Sequence, residues 1–150
     1  MTEIYAAAER LVAAPAERVY RILADYEHHQ RILPAAFSDF KIEKGGVGAG
    51  TVVSFKVTAG GVTQFHRDTV AEPEPGRVLT EANDKGKLTT FTVTPVGGPT
   101  SDQTLVKIET RWPAKGLRGL VERLVAPRML RALFLDELER LERYTQTQPL

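Results

Sequence analysis

Residues 116–144, GLRGLVERLVAPRMLRALFLDELERLERY, repeat their apolar side chains every three or four positions. Leu117, Leu120, Val121, Leu124, Leu130, Leu133, Phe134, Leu138 and Leu141 fall on one stripe. Arg118, Glu122, Arg123, Glu137, Arg140 and Glu142 read as lying largely off it. This 3.6-residue period predicts a long amphipathic helix with one face to bury. Pro127 falls inside the pattern and is expected to kink or divide the helix, because it removes a backbone hydrogen bond.

What precedes this helix has a different period. Phe37 to Glu43, Thr51 to Thr58, Val62 to Ala71, Arg77 to Asn83, Leu88 to Val96 and Thr104 to Trp112 alternate and are rich in Val, Thr, Phe and Ile, as strands are. Turn residues separate them: Gly45-Gly46, Gly60-Gly61, Pro73 to Gly76, Asp84 to Gly86 and Gly97-Gly98-Pro99. Short spacers imply hairpins and an antiparallel meander. Further upstream, Ile4 to Val12 reads as an alanine-rich first strand. A helix follows Ala14-Pro15, with Pro15 in its first turn and Val19, Ile22 and Leu23 at helical spacing, and it stops near Asp25. A short second helix runs from about Glu27 to Leu33, ended by Pro34. The expectation is a single α+β domain over residues 1–150. A curved antiparallel sheet of six to seven strands wraps the long C-terminal helix, and a cavity is left between them.

Several motifs carry a family likeness. Val12-Ala13-Ala14-Pro15, Glu17, Val19-Tyr20, Leu23, Asp25-Tyr26 and Ile32-Leu33-Pro34 mark the opening. Thr69-Val70-Ala71-Glu72-Pro73 to Gly76-Arg77-Val78-Leu79, and the end from Gly116 through Pro127 to Leu141, continue it. Together they resemble the START-like, or helix-grip, superfamily (SRPBCC), known also from the birch-pollen allergen and from the polyketide cyclase/dehydrase and lipid-transport group. The resemblance spans nearly the whole chain and implies the helix-grip fold. One departure is the pair Ile32-Leu33, where the family often has Trp before the terminal Pro. Members include carriers, ligand sensors and cyclases, so the fold does not choose a function.

Composition narrows the choice. The 150 residues carry 42% hydrophobic and 26% charged residues and a net charge of +1, without the basic excess of a nucleic-acid binder. The absence of cysteine excludes disulfides, thiolate metal sites and a Cys nucleophile. No run approaches the roughly 18 apolar residues of a membrane span. Met1 to Arg10 lacks the apolar core of a signal peptide, so the cytoplasm is the expected compartment.

The strand Val62 to Ala71 offers the most chemistry. If Val70 points inward, as its family counterpart tends to, Gln64, His66 and Asp68 face the cavity, and His66 with Asp68 forms a candidate catalytic acid–base pair. The other parity buries Phe65 and leaves His66 and Asp68 in water, and a bulge would switch parity midway. Glu81 and Asn83 are candidates for polar groups on the wall, with an exposed sheet face as the alternative. Trp112 is read as stacking on ligand or as core packing, and Glu109 and Arg111 as surface charges. Tyr20 and Tyr26 are candidates for hydroxyls at the cavity. Leu124, Met129, Leu133 and Phe134 are candidates for its floor. His28 and His29 invite a metal reading, but adjacent helical residues point about 100° apart and rarely share an ion, so no metal is assigned. Residues 45–50, GGVGAG, lack the Lys-Ser/Thr ending of a phosphate loop and read as a flexible hairpin turn near the entrance.

Three functions are compatible with these residues. The first is a binding protein for a small hydrophobic molecule of lipid, polyketide or isoprenoid type. The second is a polyketide cyclase or aromatase working without a cofactor through His66 and Asp68. The third is a protein-interaction module, favoured by any exposed patch around Leu117, Leu120 and Leu124. A homodimer is compatible with all three.

Overall fold

A computed structural model describes the backbone of residues 2–98, 100–114 and 116–147, with side chains at all of these except 2 and 116–124. The chain runs β1 (Thr2–Val12), α1 (Ala16–Ala24), α2 (Tyr26–His29), a 3-10 turn (Gln30–Ile32), β2 (Phe37–Lys44), β3 (Val52–Ala59), β4 (Val62–Glu74), β5 (Val78–Ala82), β6 (Leu88–Pro95), β7 (Thr104–Ala114) and α3 (Gly116–Thr147). The seven strands form one antiparallel sheet in the order β1-β7-β6-β5-β4-β3-β2. Only β1 is out of sequence order, because α1, α2 and the 3-10 turn carry the chain from one edge of the sheet to the other.

α3 lies against β1 and β7. The alanines of β1 explain this. Ile4, Ala6, Ala8 and Val12 share the buried face, and two Cβ-only side chains let the helix backbone come close. Leu138 and Leu141 of α3 meet Val19, Ile22 and Leu23 of α1 and Leu79, Val93, Val106 and Ile108 of the sheet in one core. Arg10 and the backbone N–H of Ala13 both donate to Glu142, at 2.7 Å and 2.9 Å, pinning the end of β1 to α3.

Three expectations are corrected. Pro127 lies inside α3 without dividing it. Pro15, extended at φ −63° and ψ 146°, is the residue before α1 and not part of its first turn. The glycine-rich segment is not a free turn. Gly46 accepts from the N–H of Tyr26, Gly48 donates to Ala24 and Gly50 donates to Val70, each at 2.9 Å. Gly48 sits at φ +68°, and a side chain there would collide with the carboxyl of Glu72. Among the described residues, no helix is long and apolar enough to cross a membrane.

Candidate functional site

Between α3 and the open half of the sheet lies a cavity of about 1040 Å³. Its apolar wall is an aromatic series. Phe37, Phe40 and Phe55 pack at ring distances of 5.5 Å and 6.2 Å, and Tyr26 continues the stack 6.4 Å from Phe40. Leu130, Leu133 and Phe134 supply the α3 side, and Trp112 closes the end of β7. Val62 and Phe65 line the cavity while more than half exposed, so they mark its rim.

At the inner end the wall turns polar. The Tyr26 hydroxyl donates to Glu81 at 2.5 Å. His29 stacks on Tyr26 with ring centroids 4.7 Å apart. The docked glycine loop and the side chain of Asp25, which accepts from the N–H of Glu27, hold this short helix in place. His29 Nδ1 lies 2.7 Å from the carbonyl of Leu23, which can only accept, so Nδ1 carries the proton. Its Nε2 therefore faces Glu137 Oε2, at 3.4 Å. Burial alone would lower the imidazole pKa, but the carboxyls of Glu137 and Glu81 outweigh it and hold the pKa above its ordinary value. Burial raises the pKa of Glu81, with Asp68 acting in the same direction against the opposing effect of His29. The Tyr26 phenol is pushed well up by burial and by Glu81.

A second polar group lies on the hairpin side. Lys87 Nζ donates to Asp68 Oδ2 at 2.8 Å and to His66 Nδ1 at 3.2 Å, and sits 5.3 Å from the centre of the Phe55 ring. The expected His66–Asp68 pair is thus interrupted by a lysine. Asp68 is fully buried behind it and does not line the cavity. Burial, helped by Lys87 and Lys85, lowers the His66 pKa to about 4, so the ring is neutral at neutral pH.

Val70 and Asp68 are buried and His66 is half-buried, so the inward parity is the one adopted. Gln64, His66, Glu81, Asn83, Trp112, Met129, Leu133, Phe134 and Tyr26 all reach the cavity. Tyr20 does not, because its hydroxyl is held by Glu72 at 2.7 Å, the same carboxylate that accepts from Ala49 N–H at 2.8 Å. Leu124, and the patch it was to form with Leu117 and Leu120, fall outside the described side chains. Glu109 and Arg111 are off the cavity, as expected. Among the described residues no cluster suits a metal ion.

Reading the sequence missed Lys87, His29 and Glu137. Glu137 is only 3% exposed, although its charge had set it on the solvent face. Its spacing was the available signal. It lies three after Phe134 and four before Leu141, both buried. His29 follows Tyr26 by three and shares its face for the same reason.

Residues 4–146 match the family model described as polyketide cyclase / dehydrase and lipid transport. A search of the curated proteins returned no match. Among solved structures, the KanY protein, determined by NMR, superposes with a TM-score of 0.82 at 26% identity, covering 97% of this chain and 99% of that one. A protein from Thermus thermophilus gives 0.76 at 20% identity, covering 95% and 97%. Norcoclaurine synthase from Thalictrum flavum, solved with dopamine and hydroxybenzaldehyde, gives 0.70 at 16% identity, covering 99% and 90%. With its motifs, its seven-stranded sheet gripping one long helix and a match over almost its full length, the chain belongs to the polyketide cyclase / dehydrase and lipid transport family of the SRPBCC superfamily.

Proposed function

We propose that this protein binds a small, mainly apolar molecule in the cavity between sheet and helix. The observation that carries the reading is the cavity itself. Its volume of about 1040 Å³ is at the upper end of small-molecule sites. Its walls are largely rings and aliphatic chains, with polar groups gathered at the inner end and near Lys87. Burial of ligand surface would supply most of the affinity, at about 25 cal/mol per Å² before ordering costs. Tyr26, Glu81, His29 and Glu137 would orient the inner end of the ligand, and Lys87 would meet an acceptor near the rim. A molecule of lipid, polyketide or isoprenoid type fits that pattern. The test is non-denaturing mass spectrometry of freshly purified protein. An added mass that vanishes on denaturation supports the reading. A bare chain that also fails to take up an offered apolar alcohol sinks it.

One observation favours a catalytic second reading. A phenol, an imidazole and two carboxyls meet on a single buried wall, which suits proton transfer in a cyclase-type reaction. In that reading Tyr26, His29, Glu81 and Glu137 take the roles first assigned to His66 and Asp68.

A further inference from the structure

We infer that the inner end of the cavity is a site for one positive charge, and that the preferred ligand is an apolar amine whose ammonium group reaches Glu137 and Glu81. The inference deepens the ligand-binding reading and rests on it.

Charge balance is the first support. Three buried carboxyls surround the polar wall: Asp68 from β4, Glu81 from β5 and Glu137 from α3, at 0%, 8% and 3% exposure. Among the described residues, two basic groups answer them. Lys87 is joined to Asp68 at 2.8 Å. His29, 2% exposed, is left to serve both Glu81 and Glu137. His66 adds no charge at neutral pH, Tyr26 donates to Glu81 without charge, and Lys85 is exposed at the rim, where water screens it. Glu81 and Glu137 therefore share one imidazolium: burial holds Glu81 toward its protonated form, and ionising it as well leaves one negative charge that a cation would meet.

Hydrogen bonding is the second, independent support. Glu137 lines the cavity, and its Oε2 has no close hydrogen-bond donor among the described residues; His29 Nε2, its ion-pair partner, stands off at 3.4 Å. Buried carboxylate oxygens are costly to leave unmet. An ammonium brings both the donors and the missing charge.

The site also predicts a proton count. Burial favours the protonated form of Glu81 in the free protein, and an ammonium beside it favours the ionised form. Amine binding should then release a proton, and amine affinity should rise with pH through the Glu81 titration. Alcohol affinity should not.

The probes are 4-phenylbutylamine, 4-phenylbutanol and 4-phenylbutyrate, followed through the fluorescence of Trp112, the only tryptophan and a cavity residue. At pH 7 the amine should bind about tenfold more tightly than the alcohol, and the carboxylate most weakly. Glu137→Gln should bring amine and alcohol within about threefold. If that variant melts early, Glu81→Gln is read in the same way, because it removes the same excess charge. Calorimetry in two buffers of different ionisation enthalpy reads the released proton. Alcohol or carboxylate binding as tightly as amine would overturn the inference while leaving the cavity reading intact. Failure of all three probes would remove the cavity reading, and this inference with it.

Discussion

Replacing Lys87 by Met should destabilise the protein through Asp68. Asp68 has no exposure, and its Oδ1 has no hydrogen-bond donor among the described residues, so Lys87 is the group that compensates it. At 2.8 Å the pair attracts by about 6 kcal/mol at an effective dielectric constant of about 20. Desolvation of both groups offsets part of this, and stranding one partner of such a pair costs about 3–5 kcal/mol. Methionine matches the lysine stem, so the packing against Phe55 largely survives. Taking about 3 kcal/mol, the melting temperature should fall by about 6–12 °C in a chain of this size. The double variant Lys87→Met with Asp68→Asn should regain about 2 kcal/mol, because the stranded charge is gone. Thermal melts followed by circular dichroism, with the full double-mutant cycle, measure both. A Lys87→Met loss under about 2 °C, or a double variant no better than the single, would refute the assignment of Lys87 as the counter-charge.

Three other tests address the frame of the site. His66 binds its proton less readily when folded, near pH 4 instead of 6.5, so the unfolded chain takes up the proton first and stability should decline as pH falls from 6.5 to about 4. NMR should show its ring still neutral at pH 5.5, and His66→Gln should flatten that decline; a ring titrating near 6.5 would contradict the burial argument. Glu142 has a lowered pKa, first through the Ala13 N–H and then through Arg10, so its contribution is full above the ordinary 4.5 and fades as pH falls through the lower folded value. Glu142→Gln should therefore cost stability at pH 7 and little at strongly acid pH, and an equal cost at both would count against the clamp. Gly48→Ala should cost about 2 kcal/mol from its positive φ and its collision with Glu72, and equilibrium unfolding in urea should show it as a lower midpoint.

Much of the fold was legible because two periods are written plainly in the chain. Alternation gave the six central strands to within a few residues, and the 3.6-residue stripe gave α3. The alanines of β1 were the ambiguous case. They are poor strand formers in isolation, and their role appears only when α3 is seen to need a thin inner face. Pro127 shows a local rule overruled, since a helix already packed on β1 and β7 tolerates one lost hydrogen bond.

The site was legible in its walls and not in its charges. The parity of β4 stayed open in the sequence, with only the family likeness at Val70 to favour the inward choice; Leu133 and Phe134 followed from the helical stripe, and Trp112 stood between ligand and core. The pairing of charges did not follow from spacing. Lys87 enters from the turn before β6 and reaches β4 only because β5 and β6 place it there, and no spacing rule within one strand carries that. Glu137 was set aside because charge was read as exposure. A buried charge is rare, so composition argues against it until its partner is visible. Tyr20 was a candidate for a hydroxyl at the cavity, but its hydroxyl is taken by Glu72, a long-range partner that no local spacing reveals.

The most direct test of the account is to fill the cavity. Leu133 lies on its α3 wall, half-buried, so Leu133→Trp has room to enlarge into the void. Isothermal calorimetry with 4-phenylbutanol should show the affinity of the parent protein reduced at least about tenfold in the variant, with the melting temperature little changed because the space was empty of side chains. Undiminished binding by a folded Leu133→Trp protein would place the ligand elsewhere and contradict the central claim.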